Sequence, residues 1–328
     1  MLVITAWAIG LKAKAESAFD YRQKGWAALH QNRPKQAIAL FDKALALDPN
    51  YEDIYVTRGD CYRDLGNAEM ALRDYDQAMK LNPRNPGIYL SRGVLYRQMA
   101  DNDQAIKEFT HALLVSPKNF MAFCYRGETY AIIGQSDKAC QDLKNATILA
   151  PKDCSTFVRF GNCLMSSGKY KEAIEAYSKA VPLCANDPRL LVMVYERRGK
   201  AYCKARLFNQ GLDDFTKTLA LSPQEKGIYV DQASAYFGLG KKDKGIEALT
   251  TQINMHPRDD HARQMRADAY FANKSYKNAI EDYKVLEELK PERVEIYQHL
   301  AKAYQSEGHP DLASKALAKM REINERLR

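Results

Sequence analysis

His256, Asp259, Asp260 and His261 come nearest to a metal-binding set in this 328-residue chain. Imidazole and carboxylate ligands hold zinc when a rigid scaffold aims them at one point. Here the histidines flank Pro257, where a helix must end, so no single helical face carries both. The set reads as a solvated turn. Asp60 and Asp64 stand four apart, a spacing that puts two carboxylates on one helix face but is also routine among exposed charges. Gly-Lys pairs at 168–169, 199–200 and 240–241 lack the earlier glycine of a phosphate-binding loop, and HExxH, GxSxG and CxxC are absent. These residues give no catalytic constellation. The expectation is a non-enzyme with no cofactor, no metal and no small-molecule substrate.

The elements that hold these residues are helix pairs. In 52–85, Tyr55, Gly59 and Tyr62 form one helical stripe and Ala71, Tyr75 and Ala78 another. Leu65-Gly66-Asn67 breaks the pattern between them and Asn82-Pro83 closes it. One such hairpin cannot bury its outer face, so it must stack on copies. Copies recur with a period of 34. With the closing proline at position 32, a small residue falls at position 8, an aromatic at 11, alanine at 20, an aromatic at 24 and a small residue at 27. Residues 86–119 repeat this with Tyr89, Gly93, Tyr96, Ala105, Phe109, Ala112 and Pro117. Residues 120–153 follow with Phe123, Gly127, Tyr130, Ala139, Leu143, Ala146 and Pro151.

This pattern resembles the tetratricopeptide repeat (TPR) family over nearly the whole chain. The resemblance implies an all-α fold, a right-handed α-solenoid, or superhelix, of about nine helix-turn-helix hairpins. Repeats one to five occupy 18–187. Phase returns four residues late, so 188–191 reads as an inserted joint that lengthens a turn, and 192–328 holds repeats six to nine with a C-terminal capping helix. Glycine replaces alanine at position 20 in repeats six and seven (Gly211, Gly245), which suggests a softer segment. Residues 1–17 fit no repeat. Their apolar run is too short to span a bilayer and reads as an export signal or as a capping helix. The first reading favours a periplasmic or secreted protein over a cytoplasmic one, and neither provides a stable membrane span.

Function follows from the resemblance. In that family the first helix of each hairpin lines a concave groove, mainly through positions 2, 5, 9 and 12. Carried onto this chain, the groove is lined by Leu90, Val94, Arg97, Met121, Cys124, Val158, Met165, Val230, Phe237 and Phe271, an unusually apolar set. The implied role is a protein-interaction scaffold holding a peptide segment or partner helix. The alternative is a regulatory or specificity subunit of an enzyme or envelope-assembly complex that docks by the convex face or an end. The lysine and asparagine clamp that some members use for a C-terminal carboxylate is not matched, since Arg22, Trp26, Thr57, Gly87 and Ser91 stand there. Net charge is +8, but charges of both signs are interleaved along the helices, which argues against nucleic acid. Of seven cysteines, Cys154 opens and Cys184 closes the hairpin of repeat five. Those ends lie side by side in an antiparallel pair, so the two are a disulfide candidate, and Cys140 with Cys163 is a weaker one.

Overall fold

The computed structural model describes residues 16–326. The apolar N-terminal run over 1–15, with its export-signal reading, lies outside them. All regular structure among the described residues is helical, and the fold is an all-α helical-repeat solenoid. The chain divides into two compact units after Pro151.

The first unit stacks four hairpins: α1 (Ala18–His30) with α2 (Pro34–Leu47), α3 (Glu52–Asp64) with α4 (Ala68–Leu81), α5 (Pro86–Gln98) with α6 (Asn102–Val115), and α7 (Phe120–Ile132) with α8 (Ser136–Leu149). The second unit holds five. They are α9 (Cys154–Ser166) with α10 (Tyr170–Leu183), α11 (Pro188–Lys204) with α12 (Phe208–Leu221), α13 (Ile228–Gly238) with α14 (Lys242–Met255), α15 (Asp260–Ala272) with α16 (Tyr276–Leu289), and α17 (Val294–Glu307) with α18 (Pro310–Arg326).

The first six hairpins close by the same device. The glycine at position 8 makes room for the side chain at position 24 of the facing helix. A methyl group placed on Gly59 would stand 2.7 Å from Cε1 of Tyr75, and one on Gly161 2.5 Å from that of Tyr177. Those rings are fully buried, each burial removing apolar surface worth ~2–3 kcal/mol from water. The chain then reverses through a left-handed residue at position 15. Gly66 takes this conformation at φ +78° with open space around its Cα, so the backbone angle and not packing selects glycine there. Asn67 and Asp101 cap the helices that follow, accepting from the N–H of Met70 and Gln104 at 3.2 and 3.1 Å.

Two expectations change. Residues 188–191 do not lengthen a turn. Asp187 accepts from the N–H groups of Arg189 and Leu190, Pro188 occupies the first turn, and the extra residues extend α11 by one helical turn to 17 residues. The position-20 glycines of repeats six and seven are also filled from the partner helix. A methyl on Gly211 would lie 2.7 Å from Cys203 Sγ, and one on Gly245 2.3 Å from Cε1 of Phe237. The position-12 side chains Cys203 and Phe237 occupy the space beside these glycines, which therefore mark close packing.

Candidate binding face

In both units the first helices approach one another across successive repeats: α3 meets α5, α5 meets α7, and α11 meets α13. No pair of second helices among the described residues comes together to that extent. The first helices therefore line the tighter side of each stack.

On α5 and α7 of the first unit, Leu90, Val94, Arg97 and Met121 are half-buried. Leu90 and Val94 are four apart and share a face of α5. Charged side chains of the first helices in this unit pair with one another. The Arg22 guanidinium pairs with Asp53 of the next repeat and lies 5.7 Å over the Tyr51 ring. Arg63 donates to Asp60 at 2.7 Å, and Asp60 also accepts from the Tyr75 hydroxyl at 2.8 Å. Arg97 donates to Glu128 at 2.8 Å and lies 5.2 Å from the Tyr125 ring centre. Burial lowers the Arg97 pKa, and burial raises that of Asp60 against the pull of Arg63.

The remaining groove candidates divide. Cys124 (1% exposed) and Val158 (6%) are buried, because short side chains at position 5 do not reach past their longer neighbours. They offer no surface to a partner. In the second unit Met165, Val230, Phe237 and Phe271 are half-buried. Val230 and Phe237 pack on Ala233, Ala248, Leu249, Ile253 and Ala262, so each is largely a core residue with an exposed edge. Phe271 packs on the core of the last two repeats and meets Tyr276 edge-on at 5.3 Å. The face is therefore less apolar than position alone implies, and its charged members are internally paired.

Asp259 has a structural task. It caps α15, accepting from the Ala262 N–H at 2.9 Å and from the Gln252 amide at 2.8 Å. Desolvation would raise its pKa, but these hydrogen bonds outweigh it and hold the carboxyl below its ordinary value. Among the described residues no group of three or more histidine, cysteine, aspartate or glutamate side chains is placed to hold a metal ion.

A set of residues that the 34-residue pattern does not single out binds the hairpins together. Position 7 carries arginine in repeats two, three, four, six and eight, and position 23, sixteen residues on, is acidic in those same repeats. Arg58 grips Asp74 through Nε and Nη2 at 2.8 and 2.6 Å, and its third nitrogen reaches Asp42 of the previous repeat at 2.6 Å. Arg126 holds Asp142 at 2.7 and 2.9 Å and Thr110 at 3.1 Å. Arg198 holds Asp214 and Ser178, and Arg266 holds Asp282 and Thr250, in the same way. Aromatic rings of the same helix lie beside the guanidinium, Tyr55 at 5.6 Å from that of Arg58 and Tyr195 and Tyr202 both at 5.7 Å from that of Arg198. Burial works against the Arg58 cation, but the hydrogen bond and charge of Asp74 outweigh it and raise its pKa above the usual arginine value. Repeats one, five, seven and nine have Lys24 with Leu40, Phe160 with Ala176, Gln232 with Ala248 and Leu300 with Ala316. Arginine and acid are thus present together or absent together. The recurring Arg-Gly at positions 7–8, read with the acid before each position-24 side chain, carries this signal in the sequence.

Comparison with known proteins agrees with this geometry. Models of the tetratricopeptide repeat match residues 28–73, 59–100, 86–119, 155–187 and 230–293. The chain belongs to the tetratricopeptide repeat family. This TPR chain is 26% identical to the mitochondrial import receptor subunit TOM70 of Mus musculus over 159 residues, 48% of this chain and 25% of the receptor subunit. It is 32% identical to a DnaJ homolog subfamily C member 7 homolog of Dictyostelium discoideum over 112 residues, 33% of this chain and 21% of the homolog. The TPR chain thus spans about a quarter of the length of the curated relatives it matches. PilW, described as a widely conserved type IV pilus biogenesis factor, shares the fold with a TM-score of 0.57 at 19% identity, over 65% of this chain and 97% of PilW. TPR-repeat proteins serve generally as non-catalytic protein-interaction scaffolds, and the repeats of this chain suggest an interaction scaffold. No helix among the described residues is long and apolar enough to cross a membrane.

Proposed function

We propose that the first-helix face of the first unit holds a peptide segment or partner helix, with Leu90, Val94 and Met121 as its apolar contacts. The pairing of the surrounding charges supports this reading best. Arg22–Asp53, Arg63–Asp60 and Arg97–Glu128 satisfy one another, so a partner gains by covering half-exposed apolar surface and leaves no ion stranded. Met121 adapts its shape to differing partners. Met165, Val230, Phe237 and Phe271 supply a smaller apolar edge in the second unit. We further propose an extracytoplasmic setting, in which the cysteines closing repeat five are bonded.

The test begins with peptides selected from a random library on the full chain. Leu90→Asp with Val94→Asp is expected to weaken them at least tenfold with circular dichroism unchanged, and Leu90→Ala with Val94→Ala to weaken them less. Bound peptide is expected to slow amide exchange in α3, α5 and α7. Unchanged affinity in both double variants moves the site to the convex face or an end, the arrangement suited to a regulatory subunit.

A further inference from the structure

Four turns hold nearly all the excess charge of the chain. The segments joining first to second helix in repeats five to eight (166–173, 204–211, 238–245 and 272–279) carry nine basic and two acidic side chains, a net of +7 against +8 for the whole chain. The equivalent segments of repeats one to four carry three basic and five acidic side chains, a net of −2. Charge that appears interleaved along the helices is thus segregated at the turns. All nine cations are exposed. Among the described residues none of them is in an ion pair, whereas Lys200 and Lys217 nearby both are.

Stacking sets the four turns side by side along one edge of the second unit, since α10 packs on α11, α12 on α13 and α14 on α15. At 8–10 Å between packed helices, the row is ~30 Å long. The helix termini add the same sign. α10, α12, α14 and α16 start here with no side-chain cap, whereas Asn67 and Asp101 cap the corresponding helices of repeats two and three.

We propose that this edge docks an extended acidic polypeptide of ~10 residues, the length that spans ~30 Å. Three observations favour polypeptide over the other polyanions. Eight of the nine cations are lysines, whose flexible point charges suit irregularly spaced carboxylates, while most arginines here serve internal pairs. The aromatic residues of these turns, Tyr170, Phe208 and Tyr276, are half-buried and offer no open ring for base stacking. Leu207 is the one large apolar side chain of these segments among the exposed set, too little to enter a lipid surface. The edge is separate from the first-helix face, so it would recruit a second region of a partner or a second protein.

The experiment measures fluorescence anisotropy of a labelled oligoglutamate of about twelve residues with the full chain. Wild type is expected to bind at low salt and to lose affinity steeply as salt rises. The exposed quadruple variant Lys169→Glu, Lys204→Glu, Lys241→Glu and Lys274→Glu is expected to bind at least about tenfold more weakly with unchanged helicity. Binding within about twofold of wild type would overturn the proposal. Tighter wild-type binding to a single-stranded oligonucleotide of equal charge, or to phosphatidylserine vesicles, would overturn it in favour of nucleic acid or membrane.

Discussion

Repeats two and five close the same hairpin with opposite chemistry. Both place glycine at position 8 under a buried tyrosine, Gly59 under Tyr75 and Gly161 under Tyr177, and both give that tyrosine hydroxyl an acceptor at 2.8 Å, Asp60 or Asn162. At positions 7 and 23 they part company. Repeat two has the buried Arg58–Asp74 grip, while repeat five has Phe160 and Ala176 and brings the sulfurs of Cys154 and Cys184 together at its open end, Cα to Cα 5.7 Å. The glycine–tyrosine contact defines the hairpin. The 7/23 pair changes only as a unit, because half of either solution leaves a buried charge or a hole.

The sharpest way to break this comparison is to split the pair. Asp74→Ala alone removes both bonds of the grip and leaves a guanidinium that is 15% exposed with only the exposed Asp42 as its counter-ion, and is expected to cost about 3 kcal/mol in urea unfolding, with amide protection lost first in α3 and α4. Arg58→Phe with Asp74→Ala, which copies repeat five, is expected to recover most of that loss. A double variant as unstable as the single one would show that the two positions are independent.

A comparable effect belongs to repeat five. We propose that Cys154 and Cys184 form a disulfide. In unfolded, unreduced protein both are then expected to resist alkylation, and the double variant Cys154→Ser with Cys184→Ser should cost ~2–4 kcal/mol, felt first in α9 and α10. Alkylation of both cysteines before reductant is added would refute the bond. Cys61 and Cys203 serve as an internal contrast, since burial pushes each thiol up to about 11 and both should react slowly until the chain unfolds.

The smallest effect sharpens the comparison within the arginine class. Arg92 is the one member of the class gripping glutamate, through a single bond of 2.8 Å to Glu108, and Arg92 Nε and Glu108 Oε2 lack partners. Glu108→Asp would allow the two-bond geometry of the other four. It is expected to stabilise by about 0.5–1.5 kcal/mol, read as a rise in urea midpoint at unchanged slope.

The hairpins were legible because their determinants are local and recur: Gly59, Ala71, Tyr75 and Pro83 each report a steric requirement at fixed spacing. Side-chain environment was less legible. Cys124 and Val158 occupy the same repeat position as Leu90 and yet are covered, because exposure depends on how far a side chain reaches past its neighbours. The Phe237 ring is drawn toward the gap over Gly245, a pairing visible only when the two helices face each other. Residues 188–191 looked like loop because they break the period, but Asp187-Pro188 is a helix start. The arginine–acid pairs went unread for a different reason. They link positions sixteen apart and occur in five repeats of nine, so a consensus averages them away.

Their uneven distribution has a consequence for how the chain finds its native order. Nine similar hairpins can mispair during folding, as near-identical neighbours in one chain do. An arginine of repeat two set against Leu40 or Ala176 would be buried without a counter-ion, a penalty of several kcal/mol, so an arginine-bearing half accepts the five acid-bearing halves and rejects the four that lack an acid. The 7/23 pair thus works as an address written into the repeats. Giving all nine repeats the same arginine and acid would erase the addresses, and the yield of correctly ordered monomer on refolding is expected to fall while each hairpin remains stable.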